Sequence, residues 1–322
     1  MKKILIIGHK GMLGQELIKI FPNATGLDVE NINIIDKEQV ENKIKILNPE
    51  IIINCAAYNA VYKCETPEEF KIAKKINGEA VGYLADTCVK LNATLVHYST
   101  NYVFGKHTNG TNIERKTQIG YDENDQPSPI NKYGQTKLLG EQKILSAPSH
   151  KADKQGGLAL GWKYYLIRTS KLFGQQGSSE MAKENFFNLM MRLAETQNEL
   201  KVVDDELSNF TYTPDLAQAT KNLLKQNYPA GIYHIVNENP ATWAEGAKAL
   251  FDILKKDVKL IPVDSDEFPR PAKRPRFAVL NNNKLPKLRG YEEALAEYLQ
   301  KIPNPKHQIP KTCLPAGRNS KS

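Results

Sequence analysis

Tyr133 and Lys137 stand four residues apart in the stretch K-Y-G-Q-T-K-L-L-G-E (132 to 141). On a helix that spacing brings a phenol and an ammonium onto one face. A phenol with an ordinary pKa near ~10 gives its proton to a carbonyl poorly unless a cation favours the phenolate. Lys137 can supply that cation and also hold a ribose hydroxyl. Ser99 and Thr100 close the apolar run T-L-V-H-Y (94 to 98), and a hydroxyl there can orient a ketone beside the tyrosine. Y-x-x-x-K arises by chance in many helices, so its weight depends on company. That company is Gly8-His9-Lys10-Gly11-Met12-Leu13-Gly14, directly after the apolar run Ile4 to Ile7. This G-x-x-G-x-x-G is a variant of the dinucleotide fingerprint. Its glycines tighten the turn and let the backbone approach a pyrophosphate at a helix N-terminus. Three glycines can also make a purely structural turn, but the strand-turn-helix context favours cofactor binding. His9 and Lys10 read as loop side chains beside the phosphates. The chemistry that fits both motifs is hydride transfer with protonation of a carbonyl oxygen.

Asp28 lies 20 residues after Gly8, near the end of the second expected strand. An acid there accepts from adenosine ribose hydroxyls and disfavours a 2′-phosphate. A solvated loop acid is the alternative. Lys10 pulls the other way, as a cation able to receive a 2′-phosphate, so the sequence leaves NADH and NADPH open.

The elements that must position these residues alternate from the start. Ile4 to Ile7 reads as a buried strand and Leu13, Leu17, Ile18 and Phe21 as a helix face. Asp36 with Gln39 predicts a capping box, opening a helix with Val40, Ile44 and Leu47 inward. A strand at Ile51 to Ile53, a long helix over about 68 to 91 and a strand from Thr94 to Tyr98 follow. Such β-α-β order with continuous apolar strands predicts an α/β fold with a doubly wound parallel sheet of Rossmann type. Residues 146 to 161 read as a polar surface insertion before the strand Tyr164 to Ile167. Further on come a helix around Asn185 to Glu195 and a strand at Lys201 to Val203. A helix at Pro214 to Lys225, a strand at Ile232 to Val236 and a helix carrying Trp243 to Leu254 complete the reading. The expected division is a dinucleotide-binding domain over 1–170 plus about 211–236. A smaller, interleaved C-terminal substrate lobe spans 171–210 and 237–302, and a disordered tail spans 303–322.

Hydrophobic residues at 40% and charged residues at 25% are ordinary for a globular chain. No apolar run approaches the roughly 18 to 20 residues of a membrane span. The opening M-K-K-I-L-I-I-G is too short for a signal peptide and runs straight into the glycine turn. The cytosol is therefore the expected location. The four cysteines, Cys55, Cys64, Cys88 and Cys313, have no C-x-x-C spacing, and six histidines form no H-x-x-x-H pair, so no metal site is predicted. The net charge is +8, and Lys306, Lys311, Arg318 and Lys321 in the tail supply half of it. Without aromatic-basic interleaving the charge does not predict a nucleic-acid partner.

Taken in order, these motifs resemble the extended short-chain dehydrogenase/reductases, and within them the dTDP-4-dehydrorhamnose reductase family. The stretches I-I-I-N-C-A-A-Y-N-A-V (51 to 61), H-Y-S-T-N-Y-V-F (97 to 104) and P-I-N-K-Y-G-Q-T-K-L-L-G-E (129 to 141) carry the resemblance. I-R-T-S-K-L-F-G (167 to 174), G-I-Y-H-I-V-N (231 to 237) and Lys273-Arg274-Pro275 continue it to about residue 300. The resemblance implies reduction of the 4-keto group of dTDP-4-dehydro-L-rhamnose, a nucleotide-sugar substrate, by NADPH or NADH. It implies Thr100, Tyr133 and Lys137 as the catalytic set, with Tyr133 protonating the ketone oxygen. Gly8, Gly11, Met12, Leu13, Ala56 and Ala57 fall where the family contacts its cofactor, and Val61, Tyr102 and Tyr133 where it contacts the sugar. It also raises a homodimer and a magnesium site at its contact, without fixing either. Five positions depart from the family pattern: Asn59, Tyr62, Asn101, Lys171 and the run Asn209-Phe210-Thr211. Alternatives that share the core are a reductase or epimerase for another nucleotide sugar, and a non-catalytic regulatory subunit that keeps the fold.

Overall fold

A computed structural model of the chain describes residues 2–105, 120–147, 162–179 and 182–302. The expected insertion at 146–161 falls mostly outside these residues, and the expected tail at 303–322 does so entirely.

The first half follows the apolar periodicity closely. Strand β1 (Ile4–Ile7) leads into helix α1 (Met12–Ile20), then β2 (Thr25–Leu27), α2 (Lys37–Leu47) and β3 (Ile51–Asn54). Helices α3 (Pro67–Lys74) and α4 (Ala80–Leu91) run on from each other through one π-helical stretch, Lys75–Glu79, giving the long helix expected there. Strand β4 (Thr94–Thr100), a short 3-10 turn at Asn101–Val103, helix α5 (Lys132–Leu145) and β5 (Tyr164–Thr169) follow. The chain then leaves the sheet through β6 (Leu172–Phe173), α6 (Phe186–Leu193) and β7 (Glu199–Val203). It returns through β8 (Thr211–Tyr212), α7 (Thr213–Lys225) and β9 (Gly231–His234), and departs again into α8 (Trp243–Leu254), β10 (Lys259–Val263) and α9 (Tyr291–Lys301).

Six strands pair in the order β2-β1-β3-β4-β5-β9, every pair parallel. Helices cover both faces, as an all-parallel sheet requires. On one face Val40 and Ile44 of α2, Val81, Leu84 and Cys88 of α4 and Ile144 of α5 pack on Leu5, Ile52 and Leu95. On the other, Leu13 and Leu17 of α1 and Leu216, Ala217 and Leu223 of α7 pack on Ile6, Ile53 and Val96. The direction of winding reverses between β1 and β3, and the crevice beyond their carboxyl ends is where such sheets bind ligands. A separate aromatic core joins α6, α8 and α9 through Phe173, Phe187, Phe210, Phe251 and Tyr298.

One local expectation needs correction. Asp36 caps α2 by accepting from Gln39 N at 3.0 Å, but the Gln39 side chain turns to Asn33 N. The Asp36 N–H bonds the Asn33 carbonyl instead, so the box is only half formed. A full capping box stands elsewhere, at Thr242 and Glu245 opening α8. Among the described residues no helix is long and apolar enough to cross a membrane.

Candidate active site

The glycine turn has the geometry its spacing implies. Gly8 has φ of +79°, and a Cβ there would lie 2.7 Å from Ala56 N, so β1 and β3 approach at the crevice only because position 8 is bare. A Cβ on Gly14 would come 2.2 Å from the Gly8 carbonyl, which fixes how closely α1 packs on its strand. The turn therefore fits a dinucleotide: α1 starts at Met12 with backbone N–H groups available to a pyrophosphate. Asp28 ends β2 and clasps this turn, accepting from Lys10 N at 3.0 Å and from Val29 N at 2.9 Å. Lys10 extends outward to Glu30 at 2.6 Å. The sequence gives no sign that Gln175 to Ser179 also lies against the turn. There Ser178 N donates to the Lys10 carbonyl at 2.9 Å, and Gln15 Nε2 donates to the Gln175 and Gln176 carbonyls.

Thr100 ends β4, and its side-chain oxygen accepts from Tyr102 N at 3.2 Å, capping the 3-10 turn. Helix α5 begins at Lys132 under the Asn131 cap, whose oxygen accepts from Gly134 N at 2.8 Å. This start brings Tyr133 beside Thr100, whose hydroxyl donates to Asn101 Oδ1 at 3.3 Å. Burial pushes the Tyr133 phenol upward, as does Tyr102, while the Thr100 hydroxyl pulls it down. Tyr102 stands edge-on to Tyr133, with ring centroids 5.9 Å apart. Lys137 is on the same helix face, but its ammonium turns into the sheet and donates to the Tyr98 carbonyl at 2.8 Å. Burial lowers its pKa to about 8, against the opposing charge of Glu141. Ala56 and Ala57 follow the end of β3 beside the turn. Val61 lies in the loop beyond, three residues before the buried Cys64.

Buried polar groups that no motif singled out surround this set. Arg168 on β5 forms an ion pair with Glu141 on α5 at 2.7 Å, and Ser99 donates to Glu141 at 2.5 Å. His97 bridges Asn54 and Lys137. In the π-helical stretch Asn77 donates to the Tyr58 carbonyl and to Thr136 Oγ1 and accepts from Tyr58 N, tying the post-β3 loop to α5. Isolated polar residues inside apolar runs, such as the His of L-V-H-Y, were the available signal.

The departures gain physical reasons. Asn101 donates from Nδ2 to the Ala278 carbonyl at 3.1 Å, a bond that an ionised aspartate could not make. Tyr62 lies under the Arg274 guanidinium at 5.0 Å and hydrogen-bonds Arg270. Both arginines turn to buried Glu206, which also accepts from Trp243 Nε1 at 2.8 Å. Lys171, in a left-handed conformation with φ of 36°, stands over the Phe210 and Trp243 rings at 4.6 and 4.2 Å. Its ammonium donates to the Glu206 and Ala241 carbonyls, and burial lowers its pKa to about 7. Among the described residues no three His, Cys, Asp or Glu side chains gather to hold a metal ion.

The family profile described as the RmlD substrate binding domain matches residues 1–303. The spore coat polysaccharide biosynthesis protein SpsK of Bacillus subtilis is 33% identical over 308 residues, covering 93% of this chain and 98% of that protein. The dTDP-4-dehydrorhamnose reductase of Mycolicibacterium smegmatis is 33% identical over 307 residues, covering 92% of this chain and 84% of its own. A crystal structure of dTDP-4-dehydrorhamnose reductase from Bacillus anthracis in complex with NADP superposes with a TM-score of 0.80 at 30% identity, covering 94% and 99% of the two chains. Fold, glycine turn and hydroxyl pair define a Rossmann-type oxidoreductase that uses a nicotinamide cofactor. More narrowly, the chain belongs to the RmlD substrate-binding-domain family.

Proposed function

We propose that the protein reduces the 4-keto group of a nucleotide-linked 6-deoxy sugar, dTDP-4-dehydro-L-rhamnose, to the alcohol. The observation that carries this reading is the pair of hydroxyls, Thr100 and Tyr133, brought together beside the glycine turn at the mouth of the sheet. The names of the relatives supply the sugar. Bound nicotinamide supplies the hydride to C4. Thr100 holds the ketone oxygen, and Tyr133 gives that oxygen its proton, so the carbonyl becomes an alcohol as one hydride and one proton are consumed. Lys137 carries the positive charge that favours the phenolate left behind. Gly8, Gly11, Met12 and Leu13 offer backbone to the pyrophosphate, with Ala56 and Ala57 alongside the cofactor. Val61 and Tyr102 line the sugar, and the Arg270–Arg274 pair beside Tyr102 suits the substrate diphosphate.

The test is nicotinamide oxidation, followed by absorbance, with dTDP-4-dehydro-L-rhamnose generated in situ and NADH and NADPH supplied in parallel. Turnover supports the reading. Measurable cofactor binding with no turnover would move the assignment to another keto sugar or to a regulatory role.

A further inference from the structure

A one-way chain of hydrogen bonds runs beneath the Tyr133 helix, and its direction is set at the end remote from the chemistry. The Ala56 N–H can only donate, and it donates to Asn54 Oδ1 at 3.1 Å. That fixes the amide, so Asn54 Nδ2 faces His97 Nδ1 at 3.0 Å and donates to it. A neutral imidazole whose Nδ1 accepts carries its proton on Nε2. Nε2 faces Lys137 Nζ at 3.3 Å, and Nζ in turn donates to the Tyr98 carbonyl at 2.8 Å. Turning the amide over would set Nδ2 against the Ala56 N–H, donor against donor. Moving the ring proton to Nδ1 would set it against Asn54 Nδ2. Charging the ring is opposed by burial and by Lys137, which hold its pKa well below the usual histidine value. Asn54, His97 and Lys137 are each 1% exposed, so water cannot relieve a mismatch. The ring thus offers the lysine a donor, and only a free amine has a lone pair to accept it.

We propose that His97, locked as its Nε2–H tautomer by Asn54, is a positioning residue that favours the free amine of Lys137 and so sets the upper pH limit of reduction. The catalytic part of this rests on the reductase reading above. Around Lys137, Glu141 on α5 favours the ammonium, Cys55 beyond β3 does so weakly, and burial opposes both. His97 faces no charge but Lys137, and its register neighbour on β5 is the apolar Leu166. The imidazole is therefore the directional group that tips the balance toward the amine.

Nitrogen-15 NMR of histidine- and lysine-labelled protein reads both ends of the chain without substrate. In the unaltered protein His97 is expected to carry its proton on Nε2 with Nδ1 bare, and Lys137 Nζ to titrate about two pH units below surface lysines. Asn54→Asp reverses the chain, because a carboxylate accepts from the Ala56 N–H and from the ring alike. The proton then moves to Nδ1, and bare Nε2 accepts from the ammonium. The Lys137 midpoint and the basic limb of kcat/KM move up by about one unit, roughly tenfold in rate on the alkaline side.

A proton on Nδ1 in the unaltered protein overturns the proposal. So does a variant with the ring reversed but the Lys137 midpoint and basic limb unmoved. A raised midpoint with Nε2 still protonated also overturns it, since added charge alone would then be the cause. If the variant fails to fold, the tautomer of the unaltered protein decides. If the tautomer and midpoint are as expected but no keto sugar is reduced, the reductase reading fails and the Lys137 assignment stands.

Discussion

Tyr133 keeps its proton across the whole neutral range, because burial and Tyr102 raise its pKa and Thr100 only partly offsets them. On the proposed reading the acid is therefore loaded before substrate arrives, and any loss of rate at high pH belongs to Lys137, whose pKa burial lowers to about 8. Tyr133→Phe is expected to lower kcat by about 10²- to 10⁴-fold, the usual effect of losing a general acid, with cofactor Kd nearly unchanged. Stopped-flow turnover and fluorescence titration of the reduced cofactor measure the two sides. On the proposed reading Asp28 works on cofactor choice. Both of its carboxylate oxygens hold backbone N–H groups at the turn, which keeps the side chain there, where that reading puts the adenosine ribose. Asp28→Asn should shift the ratio of NADPH to NADH affinity toward NADPH by on the order of tenfold, the size of one removed charge repulsion near a surface. An unchanged ratio would place the adenosine ribose elsewhere. At this scale the Y-x-x-x-K spacing made the helix face legible. It could not tell that the Lys137 ammonium points into the sheet, because that depends on His97 and the Tyr98 carbonyl, which are remote in sequence.

The π-helical stretch at Lys75–Glu79 is the element that positions the post-β3 loop. Its extra backbone residue swings Asn77 toward α5, where a Cβ on Gly140 would lie only 2.2 Å from the Asn77 carbonyl. Asn77→Ala leaves the part-buried Tyr58 N–H and carbonyl without their partner and removes one bond to Thr136, which keeps its own bond to the Tyr133 carbonyl. A loss of roughly 2 kcal/mol in urea unfolding is expected, with KM for the sugar raised more than kcat is lowered. The parallel sheet was legible because β1 and β3 are continuous apolar runs and β4 and β5 are largely apolar. Of the elements that escaped notice, two did so for opposite reasons. Pro262 argues against a strand at β10, yet is tolerated because β10 pairs only with β7. Helix α9 has an evident apolar face in Tyr291, Ala294, Leu295 and Tyr298, but Gly290 before it gives no side-chain cap to announce its start.

At the scale of the whole molecule, two histidines among the described residues are buried where charging is opposed. Burial holds His97 well below its ordinary value and His234 at about 3, the latter also repelled by Arg168. Above pH 6.5 both states of the chain hold these rings neutral, and they contribute no pH dependence. Below it the unfolded chain takes up the protons and the folded one does not, so stability falls as pH falls. For His234 the expected slope is about 1.4 kcal/mol per pH unit between pH 6.5 and 3, and His97 acts in the same direction. Calorimetry across that range, repeated on His234→Gln, should show the slope shrink by one proton. The chain's path also has a consequence for gene splicing. It leaves the sheet after β5, returns at β8 and leaves again after β9, so Phe187 and Leu250 of one aromatic core come from separate excursions. A hybrid of two relatives cut at a single point between those residues would build that core from two parents. Exchanging one pocket for another intact requires junctions near Ser170, Phe210 and Val236 together, so sugar preference in this fold is inherited as a block rather than acquired by one crossover.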